Sequence, residues 1–343
     1  MKLALTLLIL LSLSFITIAG FQIYQFLHTR PDLSGSTRTV HIPHGASLSK
    51  IAQILESEGV ITDRHKFLIV AKFSTPGRSI KAGEYSLNTS LLPLEVLNIL
   101  KEGKTLFYTV TIPEGYTIKQ IAELLAQLHL VNEDRFLKLT SDAEMIKAVG
   151  VEAKSLEGYL FPDTYYLDKT MSEEAIIKKM VSRFWEIFNA DLQNRAKEMG
   201  FSYHQIVTLA SIIEKETGVE EERKLISAVC HNRLKRKELL QSDPTVIYAI
   251  KDFNGNLTRE DLKIDSPYNT YRYPGLPPGP IANPGKASLL AALYPADVDY
   301  LYFVSKNDGT HQFSSDLKQH NAAVKKYQLN GRIKTDKPSD VSN

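Results

Sequence analysis

The stretch VHIPHGASLSKIAQIL, residues 40–55, returns seventy residues later without a gap as VTIPEGYTIKQIAELL, residues 110–125. Each copy opens on a short β-rich run (Val40 to Ile42, Val110 to Ile112) and turns at Pro-x-Gly. It then passes a serine or threonine suited to capping a helix. Leu48, Ile51, Ala52 and Leu55 share one face of the first expected helix, as Ile118, Ile121, Ala122 and Leu125 share one face of the second. Two strand-turn-helix units in tandem predict an α+β region over residues 39–155. Such a region suits groove presentation, and duplication alone would equally give a plain spacer. One position in the turn differs, with His44 in the first copy and Glu114 in the second.

N-terminal to the repeat, residues 3–27 (LALTLLILLSLSFITIAGFQIYQFL) contain no Asp, Glu, Lys, Arg or His. About 20 apolar residues suffice to cross a bilayer, so this segment is expected to span one. With only Met1 and Lys2 before it, the remainder is expected on the far side, in the periplasm or outside the cell. Thr17-Ile18-Ala19 would pass as a signal-peptide cleavage site, but the apolar run continues through Phe21, Ile23, Tyr24, Phe26 and Leu27, which favours an anchor. Residues 28–38 (HTRPDLSGSTR) have the composition of a tether.

C-terminal to the repeat, EGYLFPDTYYL (157–167) is an aromatic cluster broken by Pro162, expected at a seam between two regions. Helical periodicity follows over Ser172 to Asp191, Tyr203 to Thr217 and Glu221 to Lys237. Asp243-Pro244 is a helix start with Asp as N-cap. YLYFVSKNDGTHQFS (300–314) reads as a hairpin with an Asn-Asp-Gly turn, followed by a helix from Asp316 to Tyr327. His311 and His320 could approach each other there, though lone histidines are usually structural. The tail from residue 331 is polar and expected to be disordered.

Composition excludes several function classes. Forty-one Lys and Arg against 39 Asp and Glu give a formal charge of +2, too balanced for a nucleic-acid surface. The single cysteine, Cys230, forms no internal disulfide and sits in an apolar setting that reads as core. No H-E-x-x-H, G-x-S-x-G or phosphate-cradling loop occurs, so no metal and no cofactor is expected.

Chemistry points to FSYHQIVTLASIIEKET, residues 201–217. Ser202 and Gln205 form a capping box, Gly218 is the expected stop, and the middle is apolar nearly all round. Such a helix runs through a core and delivers Glu214 and Glu216 at its last turn, where a carboxyl partly out of water suits general acid work. The wheel sets the two glutamates on opposite edges of one stripe and does not choose between them. Two surface glutamates would read the same way. The segment SPYNTYRYPGLPPGPIANPG (266–285) holds six of the 15 prolines and is unsuited to helix or central strand. Its Tyr268, Asn269, Thr270, Tyr271 and Asn283 suit the wall of a glycan cleft, while a polyproline ligand for a protein partner fits the composition equally.

Taken together, ASIIEKET (210–217), LQSDPTVIYA (240–249) and the 266–285 segment resemble the endolytic murein transglycosylase, or YceG-like, family. The 157–167 and 300–314 segments, the N-terminal anchor and the IPEG unit add to the resemblance, which covers most of residues 40–325 in order. It implies a LysM-like peptidoglycan-binding region followed by a catalytic domain outside the inner membrane, with the first glutamate of EKET, Glu214, essential. The implied reaction breaks the β-1,4 bond between N-acetylmuramic acid and N-acetylglucosamine within nascent strands and leaves 1,6-anhydromuramic ends, limiting strand length beside the peptidoglycan synthases. Gln241, Ser242, Asp243, Tyr268, Asn269, Thr270, Tyr271 and Asn283 are the substrate-binding residues expected from motif position. The expected divisions are an anchor (1–28), a linker (29–38), a LysM-like region (39–155), a mainly helical catalytic domain with a hairpin (156–330) and a tail (331–343). The expected partners are peptidoglycan strands, the inner membrane through residues 3–27 and a synthase, with no nucleic acid. The rivals are a non-catalytic wall-binding scaffold, and a hydrolase using Glu216 or Asp243 as second carboxylate.

Overall fold

The computed structural model describes residues 2–74 and 80–329. It is a mixed α+β chain of fourteen α-helices and six strands in three two-stranded sheets among these residues, and it divides into two compact units. The division falls at Thr109/Val110, not at the expected 155/156, because the second copy of the repeat packs with the helical part of the chain. The tail from residue 331 lies outside the described residues.

The first unit, Met1–Thr109 with Tyr166–Met171, holds α1 (Lys2–His28), β1 (Thr37–Ile42), α2 (Leu48–Ser57), α3 (Arg64–Ser74), β2 (Gly83–Asn88) and α4 (Pro93–Glu102). β1 and β2 pair antiparallel, with Val40 opposite Tyr85 and Ile42 opposite Gly83. Ser47 caps α2 through Lys50 N–H, and Ile51, Ala52 and Leu55 are buried as the periodicity requires. The later segment 166–171 joins this unit through Lys169, whose Nζ lies 3.2 Å from Glu84 Oε1 and 5.0 Å from the Tyr108 ring centre.

Helix α1 is long and apolar enough to cross a membrane, over Leu5–His28. Its last turn also enters the first core. Phe26 is only 3% exposed, and Ile23 and Leu27 pack with it into the core formed by β1, α2, β2 and α4. The loop that follows is no free tether. Asp32 N–H donates to Thr89 O, Thr89 N–H donates to Ser36 O, and Ser36 N–H donates to Thr89 Oγ1. Short polar residues that read as linker by composition are spent instead on satisfying one another and the turn after β2.

The second unit, Val110–Tyr165 with Ser172–Asn343, takes up the chain at β3 (Tyr108–Thr111), followed by α5 (Ile118–Gln127), α6 (Glu133–Leu139), α7 (Ala143–Ala148) and β4 (Thr164–Leu167). Thr117 and Gln120 form a full capping box on α5, and Ile118, Ile121, Ala122 and Leu125 are buried. Then come α8 (Glu173–Ile187), α9 (Ala190–Glu198), α10 (Tyr203–Glu216), α11 (Glu220–Arg236), α12 (Asp243–Ala249) and α13 (Lys286–Leu293). The hairpin is β5 (Tyr302–Ser305) and β6 (His311–Ser314), antiparallel with Phe303 opposite Phe313, and α14 (Leu317–Val324) follows it.

Three local expectations change. The helix expected over Ser172 to Asp191 breaks at Phe188, because Asn189 caps a new helix by accepting from Asp191 and Leu192 N–H. Helix α10 ends at Glu216 with Thr217 extended, so Gly218 is not its left-handed stop. Ser242, not Asp243, occupies the N-cap position of α12, with Pro244 in its first turn.

Candidate active site

Helix α10 is the spine of the second unit. Every residue from Ile206 to Ile213 is buried, against α13, α11, α12 and α9. Its two buried hydroxyls are satisfied locally: Thr208 donates to His204 O, and Ser211 donates to Thr208 O while accepting Ile281 N–H at 3.0 Å.

At that turn the two glutamates part. Glu214 has a side chain 5% exposed; its Oε2 accepts the Gly285 N–H at 2.9 Å, and its Oε1 lies 3.8 Å from Arg223 Nη2. The Nε of Arg223 is buried without a hydrogen-bond partner. Glu114, from the Pro-Glu-Gly turn of the second repeat, lies on the same glycine: a Cβ at Gly285 would fall 1.8 Å from Glu114 Oε1. Burial first, and then the Glu214 carboxylate, hold Glu114 above the usual carboxylate range, and Arg223 works against this. The turn is fixed by Gly115 N–H donating to Asn283 O and Asn283 N–H donating to Tyr116 O. Lys215 closes the arrangement by donating to Gly115 O at 3.3 Å.

Glu216 faces the other way. Ser242 Oγ donates to its Oε1 in a short hydrogen bond. Burial pushes this carboxyl up to about 7, the Ser242 bond opposes the shift, Asp243 adds to it, and Arg233 opposes it. Of the residues expected to contact substrate, Gln241, Ser242, Asp243, Thr270 and Tyr271 gather here, whereas Asn283 lies two residues from the glycine that Glu214 bonds. Tyr271 OH donates to Asp243 Oδ1 at 2.6 Å, and Gln241, left-handed at φ 51, donates its N–H to Thr270 O. Cys230 is buried nearby, with its thiol pushed up to about 12 by burial and then by Glu216, in line with the core reading.

Four of the expected substrate contacts are internal. Ser242, Asn269, Thr270 and Asn283 are all buried. Asn269 gives both amide protons to Leu262 O and Ile264 O and accepts Tyr271 N–H. Thr270 Oγ1 accepts Ser242 N–H and pairs with Thr245. Asn283 Oδ1 accepts Gly158 and Leu160 N–H, and its Nδ2 donates to Tyr116 O and Glu157 Oε1. The Asn283 amide, with two bonds accepted and two donated, has no capacity left for a ligand, and Asn269 is fully buried with both amide protons committed. Gln241 and Asp243 remain exposed, and Tyr268 and Tyr271 are half-buried.

The sequence reading passed over Glu157, in the aromatic cluster. It is buried, and it accepts Ile118 N–H, Asn283 Nδ2–H and Tyr248 OH. Burial nevertheless pushes it up to about 8. It lines both a cavity of about 590 Å³, shared with Ile118, Lys215 and Tyr248, and one of about 310 Å³, shared with His204, Tyr268 and Pro280. Neighbouring Gly158 is a glycine of necessity: at φ 91, a Cβ there would meet Pro280 Cγ at 2.5 Å. The two histidines are engaged structurally, His311 with Glu222 at 2.7 Å and His320 stacked on Tyr302.

Relatives share this frame. A protein named endolytic murein transglycosylase from Bacillus subtilis is 36% identical over 313 residues, covering 86% of each chain. One of the same name from Streptococcus pneumoniae is 30% identical over 318 residues, 83% of this chain but 57% of that longer protein. The crystal structure of a YceG-like protein from Listeria monocytogenes superposes with a TM-score of 0.58 at 39% identity, covering 83% of this chain and 98% of that one. The YceG-like family profile matches residues 40–326, from β1 through the last helix, and thus spans every group just described. The chain belongs to the YceG-like family.

Proposed function

We propose that this chain is a membrane-anchored lytic transglycosylase of peptidoglycan, cutting within glycan strands with Glu214 as its acid/base. The observation that carries the reading is the setting of Glu214: a carboxyl almost withdrawn from water, delivered by a core helix and oriented by a backbone N–H. The names of the relatives supply the substrate class.

In the proposed reaction Glu214 gives its proton to the glycosidic oxygen as the bond from C1 of the muramic residue breaks. The resulting carboxylate takes the proton of the muramic 6-hydroxyl as that oxygen bonds to C1. The proton count closes, no water enters, and the product end is 1,6-anhydromuramic. One carboxyl serves both steps because the nucleophile belongs to the substrate, unlike the carboxylate pair of a hydrolase. Gln241, Asp243, Tyr268 and Tyr271 are the proposed sugar contacts; Ser242, Asn269, Thr270 and Asn283 hold the loops that carry them.

The strand-helix-helix-strand order of β1, α2, α3 and β2 supports a LysM-like glycan-gripping role for the first unit. The apolar α1 supports anchoring in the inner membrane with the rest in the periplasm. Action on nascent strands beside a synthase, ending their elongation, completes the proposal.

A second reading has its own observation: Glu216, held near 7, meets the pKa requirement of a general acid at neutral pH. Mass spectrometry of fragments released from purified peptidoglycan by the full chain in detergent separates the two. The proposal expects internal fragments lighter by one water than hydrolytic products, lost in Glu214→Gln and retained in Glu216→Gln. Ordinary reducing ends would mean a hydrolase, and tight binding without release would mean a scaffold.

A further inference from the structure

The larger of the two cavities on Glu157, about 590 Å³, falls inside the range of roughly 300–1,000 Å³ that small-molecule sites occupy. Ile118, Leu137, Ile247, Ile250 and Ile281 give it an apolar wall. Three lysines line it from three different elements: Lys119 in the first turn of α5, Lys215 in the last turn of α10, and Lys251 two residues past α12. Glu157 is the one acid among the described lining residues, and burial pushes it up to about 8. Near pH 7 the charge of the cavity is therefore that of its lysines.

Two of these ammonium groups are uncommitted. Lys215 donates to Gly115 O, but Lys119 and Lys251 are exposed, with neither an acidic partner nor a side-chain hydrogen bond among the described residues. A cation in the first turn of a helix opposes the macrodipole, so Lys119 does nothing for α5 itself. The first repeat has Ser49 at the matching position, and the lysine belongs to the copy whose helix lines the cavity. The cavity also borders the acid. A Cβ at Gly115 would lie 3.5 Å from both Glu214 Cγ and Lys215 Cδ. Asn283 Nδ2 donates to Glu157 Oε1, and two residues on, Gly285 N–H donates to Glu214.

We infer that this cavity is a subsite for the acidic peptide borne by a muramic residue, its carboxylates met by Lys119 and Lys251 and its aliphatic groups by the isoleucine wall. The inference rests on the reading of Glu214 as acid/base on muramic glycan and extends it. That peptide hangs from the lactyl ether at C3 of the same sugar whose C1 reacts, so with C1 at Glu214 it must leave the ring beside the acid. Uncommitted ammonium groups next to an apolar wall suit a ligand with both carboxylates and methyl groups; a bare phosphate would use only the first.

The test compares the full chain in detergent with its Lys119→Gln/Lys251→Gln double variant, both positions being exposed. Calorimetry measures binding of a soluble muramyl peptide with free carboxylates, of the same peptide amidated, and of inorganic diphosphate. The carboxylated peptide is expected to bind about tenfold tighter than the amidated one, the size of two solvent-exposed ion pairs, and the double variant to lose that difference. Equal affinity for the two peptides, a variant that keeps the difference, or tighter binding of diphosphate overturns the inference. In turnover, the variant is expected to raise KM about tenfold on peptide-bearing strands with kcat unchanged, and to match the wild type on strands stripped of peptide. An equal effect on both kinds of strand overturns it. If the wild type releases no fragments from either, the reading of Glu214 alone fails, while carboxylate-dependent binding lost in the double variant still upholds the subsite.

Discussion

Glu157→Gln is a sharp test of how burial and hydrogen bonding compete in this chain. Three donors, from Ile118, Asn283 and Tyr248, favour the ionised carboxylate, whereas enclosure favours the neutral acid and wins, pushing the group up to about 8. A carboxyl whose folded pKa lies above its unfolded value stabilises the fold fully below the unfolded pKa. That contribution is lost as pH rises through the folded one. The window here runs from about pH 4.3 to about pH 8, and between about pH 6 and about pH 8 the linkage removes about 2 kcal/mol. Gln keeps a carbonyl for Ile118 N–H but cannot ionise. Wild type and variant should therefore differ little near pH 5, with the variant gaining on the wild type by about 2 kcal/mol between about pH 6 and about pH 8. Trp185 is the only tryptophan of the chain and belongs to the second unit, where its Nε1–H donates to Val149 O. Its fluorescence in urea titrations therefore reports the unit that holds Glu157. A variant destabilised equally at every pH would mean that the carboxylate is ionised in the fold, and would refute the reasoning.

Asn283→Ala leaves Gly158 and Leu160 N–H without their acceptor. At about 1–3 kcal/mol for each buried orphan, it should lower the stability of the second unit by about 3 kcal/mol in the same Trp185 assay, with unchanged urea slope. Cys230, buried and with its thiol raised to about 12, should resist thiol reagents in the native protein and react at the rate of unfolding, which quantitative labelling with and without urea will show. Removing residues 1–29 strips Ile23, Phe26 and Leu27 from the first core. Hydrogen exchange in β1 and β2 should rise at least tenfold against the full chain in micelles, as expected for losing a buried Phe worth about 3 kcal/mol or more.

Where local chemistry was strong, the sequence was readable. Ser47, Thr117 and Ser202 cap the helices that their spacing predicts, and the apolar stripes of α2 and α5 are the buried ones. The hairpin and its Asn-Asp-Gly turn follow from residue type, with Asn307 and Gly309 both at positive φ. What stayed hidden were relations across long sequence separations. Composition cannot say that Asn283 is spent on Gly158 and Leu160, so an amide in a Tyr- and Pro-rich loop reads as a sugar contact. Nor can a helical wheel say which element faces which glutamate, so motif position alone made Ser242 a substrate contact when it bonds Glu216. One clue was on the surface of the sequence all along. The exchange of His44 for Glu114 between otherwise matching turns marks the copy that meets the EKET helix.

The last turn of α1 is at once the end of the apolar span and part of the first core, and residues 32–36 are bound to the turn after β2. A flexible leash of ten residues would let its cargo range over about 15–20 Å in any direction. This chain has no such slack. With α1 seated in a bilayer, the first unit stands on the membrane as on a post, its height above the lipid set by the helix and not by thermal wandering. Under the proposed reading of that unit as a glycan grip, a bound strand would be held at one altitude above the lipid.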